Sequence, residues 1–195
     1  MKYRWIIAVV ALLLAGLGVV AWRFPFWNRA DKRLKDRDPA VRVAAIRDAS
    51  GSVDMDDVIE ALADEDADVR LVAALELRQR GPEAAKATPA LIEALADRHP
   101  GVRREAAEAL CWIGPKSGPA LYEALKDPNP RVRAGAALAL GDIGNHMGGK
   151  RARPREEVKI IEPILKELLQ DEDEEVRQNA AHTLKVLDWD RGAER

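Results

Sequence analysis

Beyond residue 30 the apolar positions recur in blocks. Val-Arg stands at Val41-Arg42, Val69-Arg70, Val102-Arg103, Val132-Arg133 and Val176-Arg177, at intervals of 28, 33, 30 and 44 residues. Five residues before each Val is Asp36, Asp64, Asp97, Asp127 or Asp171, and seven before is Leu34, Leu62, Leu95, Leu125 or Leu169. Four after is Ala45, Ala73, Ala106, Ala136 or Ala180; eight after is Leu77, Leu110, Leu140 or Leu184, with Ala49 in the first block. Counted from the Val, positions 0, +4, +8 and +11 fall on one side of a 3.6-residue helix, so each block predicts an amphipathic helix. Gly81, Gly114 and Gly144 at +12 predict its end. Upstream, Val58 with Leu62, Leu91 with Leu95, Leu121 with Leu125 and Leu165 with Leu169 mark a preceding helix. Pro89, Pro119 and Pro163 suit its first turn, where a missing N–H costs little.

Each block is therefore a helix pair around an acidic, Pro-rich turn such as DRDPA or DEDAD. Neither helix can bury its stripe alone, so the pairs must stack. The predicted fold is all-α, a solenoid of about five helix pairs. The run D-x-x-x-x-V-R-x-x-A-A-x-x-L-x-x-I-G, from Asp97 to Gly114 and from Asp127 to Gly144, resembles HEAT repeats. It is most similar to the short, Ala-rich type also found in phycobilisome-lyase-like proteins. The resemblance covers residues 30–188 and implies a scaffold for protein contacts whose second helices line a concave surface. The end blocks depart from it, as caps do: the first opens with the short, polar ADKRLKD, and the last has Asp188 in place of the Gly.

The blocks are preceded by a different pattern. Residues 6–22, IIAVVALLLAGLGVVAW, carry no charge. At ~1.5 Å per residue they make roughly 25 Å of helix, slightly short of a ~30 Å hydrocarbon core. Tyr3 and Trp5 before the run, with Trp22, Phe24, Phe26 and Trp27 after it, suit the two membrane interfaces. The preferred reading is one transmembrane anchor within residues 1–28, followed by a repeat domain over 29–195. A cleaved signal is the alternative: Lys2 and Arg4 give a positive start, and Val19-Val20-Ala21 is a tolerable cleavage motif. It would release an exported soluble repeat protein. The Lys and Arg count around the run leans toward a cytoplasmic repeat domain, and the side stays open.

Charge narrows the partner. The net charge of −2 divides into +6 over residues 1–37 and −8 over the remainder. A nucleic-acid binder wants the opposite excess, so no nucleic-acid partner is expected. The single Cys111 allows no internal disulfide and no thiolate zinc site. None of His99, His146 and His182 belongs to a His pair at i, i+4 with a nearby acid, the spacing a metal site uses. Gly148-Gly149-Lys150 lacks the upstream Gly and the Ser or Thr of a phosphate loop. No catalytic residue, metal or cofactor is expected. The enzymatic alternative is a chromophore-lyase-like enzyme or maturation factor, and no feature of the chain carries that activity over.

Three groups of residues remain. The Asp at −5 and the Arg at +1 (Arg42, Arg70, Arg103, Arg133, Arg177) form a structural ladder within or between units. Opposite the packing stripe, at roughly 160° from it by ~100° per residue, position +6 holds Leu75, Glu108, Leu138 and His182. With Leu71, Arg104 and Trp112 these residues are the expected face for another protein. Residues 145–157 lengthen the fourth interval. Their Lys150, Arg151, Arg153 and Arg155 make a basic loop suited to an acidic partner or to anionic lipid near the anchor.

Overall fold

The computed structural model describes residues 32–48, 53–146 and 155–193, with side chains over 32–48, 53–143 and 157–187. Within them the regular structure is helical. A helical turn at 32–34 precedes α1 (Pro39–Ile46). The second unit has α2 (Met55–Glu60), continued as a 3₁₀ turn over Ala61–Ala63, and α3 (Ala67–Arg80). The third has α4 (Thr88–Ala94) and α5 (Pro100–Ile113), and the fourth α6 (Gly118–Ala124) and α7 (Pro130–His146). The fifth has α8 (Arg155–Leu168) and α9 (Glu174–Ala193).

The second helices α1, α3, α5, α7 and α9 pack in sequence order, each against the next. Their repeated stripe is the core: Val102, Ala106, Leu110 and Ile113 of α5 are all buried, as are Val132, Ala136, Leu140 and Ile143 of α7. Leu91, Leu95, Leu121, Leu125 and Leu165 close it from the first helices. Ala at +4, and often at +5, lets neighbouring backbones approach. Two glycines of α7 make room for side chains of neighbouring elements. A Cβ at Gly135 would stand 2.7 Å from Leu95 Cδ2, and one at Gly141 2.8 Å from Thr183 Oγ1.

Local chemistry sets the helix ends. Asp66 accepts the N–H groups of Asp68 and Val69, and Asp173 accepts those of Glu175 and Val176, as N-caps do. Gly81 (φ 53°, ψ −128°) and Gly114 (φ 74°, ψ −144°) end α3 and α5 in a conformation that side chains with a Cβ rarely adopt. Each is followed by a Pro that opens a 3₁₀ segment, Gly81–Ala87 or Gly114–Ser117.

Two expected helix ends lie elsewhere. Gly144 does not stop its helix, because α7 runs on to His146. Asn145 follows it where Pro82 and Pro115 follow the other two glycines. Pro163 lies inside α8 rather than in its first turn, since α8 begins eight residues earlier at Arg155. The expected anchor at 6–22 lies outside the described residues. No helix among those described is long and apolar enough to cross a membrane.

Candidate functional site

The recurring Asp and Arg build one arrangement at successive turns. Each Arg at +1 folds back so that its Nη1 donates to carbonyls of its own inter-helix turn. Arg42 reaches Asp36 O and Arg37 O, and Arg103 reaches Asp97 O and Arg98 O; Arg70, Arg133 and Arg177 repeat the pattern. The other edge of the guanidinium points at the next unit. Arg42 Nε and Nη2 donate to the Asp64 carboxylate at 2.8 and 2.7 Å. Arg70 does the same to Asp97 at 2.7 and 3.0 Å, and Arg133 to Asp171 at 2.8 Å twice. Each Asp also accepts the N–H two residues on, at Asp38, Asp66, His99, Asn129 and Asp173. The ladder thus runs between units. One rung is missing: Arg103 makes no bond to Asp127, although both keep their local bonds.

The rungs are nearly dry, with Arg70 and Asp97 side chains 7% and 11% exposed. Burial pushes the Asp64 carboxyl upward. The Arg42 bonds, the Asp66 N–H and the charges of Arg42 and Arg70 outweigh it, so its pKa lies below the ordinary value. Asp97 follows the same balance through Arg70 and the His99 N–H. For Asp171 the Arg133 bond is the leading cause of the lowering. The three partner guanidiniums are correspondingly raised by their Asp bonds.

On the opposite side of the second helices the expected partner face divides. Trp112 is 46% exposed. Arg104 and His182 are also open, and His182 Nε2 lies 3.8 Å from Asp142 Oδ1. Leu75 and Glu108 are half-buried. Leu71 and Leu138 are half-buried and pack against the core, so lying opposite the stripe does not leave them wholly to a partner. For Leu71 the neighbour is α5, where a Cβ on Gly101 would stand 3.5 Å from its Cδ1. Lys150, Arg151 and Arg153 lie outside the described residues, and Arg155 opens α8 with its side chain undescribed.

Three polar residues of the second helices, Glu105, Asn179 and Thr183, escape the repeat logic. Glu105 of α5 is only 5% exposed, with Arg78 of α3 and Arg104 as its ionic neighbours. A signal for it was present: position +3 holds Ala44, Val72, Gly135 and Asn179 in the other units, so a Glu there breaks the pattern. Asn179 donates to Ala134 O, and Thr183 Oγ1 lies 2.7 Å from Ala137 O, tying α9 to α7. Among the described residues no group of three or more His, Cys, Asp or Glu could hold a metal ion, and Cys111 is buried.

Among solved structures, this chain is similar to one describing tubulin recruitment and assembly by microtubule polymerases with tumor overexpressed gene domain arrays. The TM-score is 0.64 at 12% identity, over 80% of this chain and 39% of that one. An archaeal HEAT-like repeats protein from Thermococcus onnurineus NA1 aligns with TM-score 0.54 at 16% identity, over 83% and 70% of the two chains. A designed armadillo repeat protein in complex with the peptide (KR)4 aligns with TM-score 0.50 at 20% identity, over 81% and 80%. At such identities the likeness is one of fold. No curated protein matches. The family described as HEAT repeats matches residues 55–118, 88–155 and 119–193, and with most of its length so covered the chain belongs to that family.

Proposed function

We propose that this chain is a protein-binding scaffold or adaptor that takes its partner on the open face of its stacked second helices. Residues 6–22 would hold it at a membrane, and the basic residues of 145–157 would lie against anionic headgroups or an acidic neighbour. Trp112 carries the reading. Its neighbours Cys111 and Ile113 are each 1% exposed, while the indole itself is 46% exposed. A large amphipathic ring held on a rigid helix suits an interface anchor, because it loses little entropy on binding. Leu75 adds apolar surface and Arg104 a charge on the same side. A fold-related designed armadillo protein is seen with the peptide (KR)4, which supports peptide or protein binding as a use of such stacks.

The test is partner capture from membranes with the full chain and with a Leu75→Asp/Trp112→Ala variant. Loss of the captured proteins, with helical circular dichroism and melting temperature unchanged, is the expected result. Capture of the same proteins at equal yield by both would refute this face. The anchor is tested apart from it: carbonate washing should leave the protein in the membrane pellet with its N-terminus at Met1. A mature N-terminus near Trp22 would mean that the segment is a cleaved signal.

A further inference from the structure

The arginines of this protein fall into two kinds. In the ladder, both edges of the guanidinium are spent: Arg70 has two turn carbonyls on one edge and the Asp97 carboxylate on the other, and its side chain is 7% exposed. Arg78 and Arg104 are the reverse. Arg78 Nη1 lies 2.9 Å from Glu105 Oε2, but its N–H is not aligned on that oxygen, which accepts no hydrogen bond. Arg104 Nη2 makes one 3.3 Å bond to Glu105 Oε1. The two side chains are 33% and 73% exposed. Each guanidinium carries five N–H donors, so most of those on this pair are unspent and face solvent.

Glu105 explains why the pair sits where it does. A carboxylate buried at the seam between α3 and α5 requires countercharge. It draws Arg78 from one helix and Arg104 from the other. One carboxylate cannot neutralise two guanidiniums, so the trio keeps a net charge of +1 within residues 38–195, whose balance is −8. That surplus matches one more carboxylate. A doubly charged phosphate would overshoot that single positive charge and leave excess negative charge beside buried Glu105, which disfavours it.

We propose that Arg78 and Arg104, positioned by Glu105, form a carboxylate-binding anchor that selects an acidic, extended segment of the partner protein. The inference rests on the partner-binding reading above and deepens it. Arg104 and Trp112 are eight residues apart on α5, roughly 12 Å at ~1.5 Å per residue. An extended chain covers that in three to four residues at ~3.3 Å each. The segment recognised therefore carries an Asp or Glu with a large apolar residue three or four positions away. The acid takes bidentate guanidinium bonds, and the apolar residue lies on the indole.

The experiment pans the immobilised full chain against a random library of 12-residue displayed peptides. Wild type should enrich Asp or Glu paired with Leu, Phe or Trp at that spacing. A synthetic peptide of the enriched sequence should bind Arg104→Glu at least tenfold more weakly. The same peptide with its acid changed to Lys should bind Arg104→Glu better than wild type. Arg104→Glu also takes from buried Glu105 its hydrogen bond, so its melting temperature should fall; Arg104→Gln, which removes the charge but can still donate to Glu105, should melt closer to wild type, give an intermediate loss of peptide affinity, and serves if the Glu variant misfolds. Enrichment without acidic bias, affinity indifferent to Arg104, or no enrichment at all would each overturn the anchor. The wider binding role is judged separately by partner capture with the Leu75 and Trp112 variant.

Discussion

Arg70 and Asp97 are 27 residues apart in sequence and one repeat apart in space, joined by two hydrogen bonds of 2.7 and 3.0 Å. The same guanidinium holds its own turn through Asp64 O and Glu65 O. One side chain thus fixes both the turn of its unit and the register of the next. A branched or apolar residue could supply neither, and Lys, lacking the planar fork, could not supply both.

Arg103 is a natural control, because it keeps the turn bonds and lacks the rung. Arg70→Ala strips a nearly buried carboxylate of its partner and should cost about 3 kcal/mol. Arg103→Ala should cost about 1 kcal/mol, the scale of ordinary hydrogen bonds. Chemical denaturation of both variants checks the ordering. Equal losses would mean that the inter-unit bonds contribute nothing beyond the turn.

The rungs also fix the acid limb of stability. Asp64, Asp97 and Asp171 titrate below their ordinary value in the folded protein. A carboxylate lowered on folding contributes fully above its unfolded pKa of about 3.9 and loses that contribution as pH falls through the lowered folded value. The melting temperature should therefore hold through mildly acid pH and drop below about pH 4. Asp97→Asn should be less stable near neutrality and show a shallower acid drop. Melting curves across pH 2–7 read both effects.

The repeat was legible because the constraint is local and periodic: a stripe at 0, +4, +8 and +11 has to be buried, and in α5 and α7 it is. What periodicity does not carry is which neighbour a side chain meets. Arg42 had Asp36 in its own unit and Asp64 in the next as candidate partners. The structure uses the backbone of the first and the carboxylate of the second. Helix ends depended on the residue beyond the glycine, so Gly81-Pro82 and Gly114-Pro115 stop helices while Gly144-Asn145 does not. Glu105 shows the converse: a single residue out of pattern marked a seam that the repeat consensus hides.

Gly141 tests how close the last two second helices need to be. A Cβ there would stand 2.8 Å from Thr183 Oγ1, a buried hydroxyl within reach of both Ala137 O and Asn179 O. Gly141→Ala gains about 1 kcal/mol of helix propensity. The hydroxyl has one proton for two carbonyls within reach and cannot move away from both without loss, so overpacking of ~1–3 kcal/mol should prevail. The variant should melt lower than wild type, and Gly141→Ala combined with Thr183→Ala should recover part of the loss. A higher melting temperature for the single variant would show that α9 shifts freely on α7.

Leu75 and Leu138 occupy the same repeat position and should now behave differently. Both are half-buried, but only Leu138 packs against the core. Leu138→Asp puts a charge where apolar contact is lost, and full burial of a Leu is worth about 1.5–3 kcal/mol, so a part-buried one should cost roughly half that or more. Leu75→Asp should leave the melting temperature within a degree or two of wild type, since surface changes stay within about ±0.5 kcal/mol. The difference decides how binding data are read. A double Leu75→Asp/Leu138→Asp variant that loses its partner would confound unfolding with a damaged surface, whereas Leu75→Asp alone isolates the surface. Thermal melts of the two single variants settle the assignment; equal destabilisation would place Leu75 in the core and remove it from the partner face.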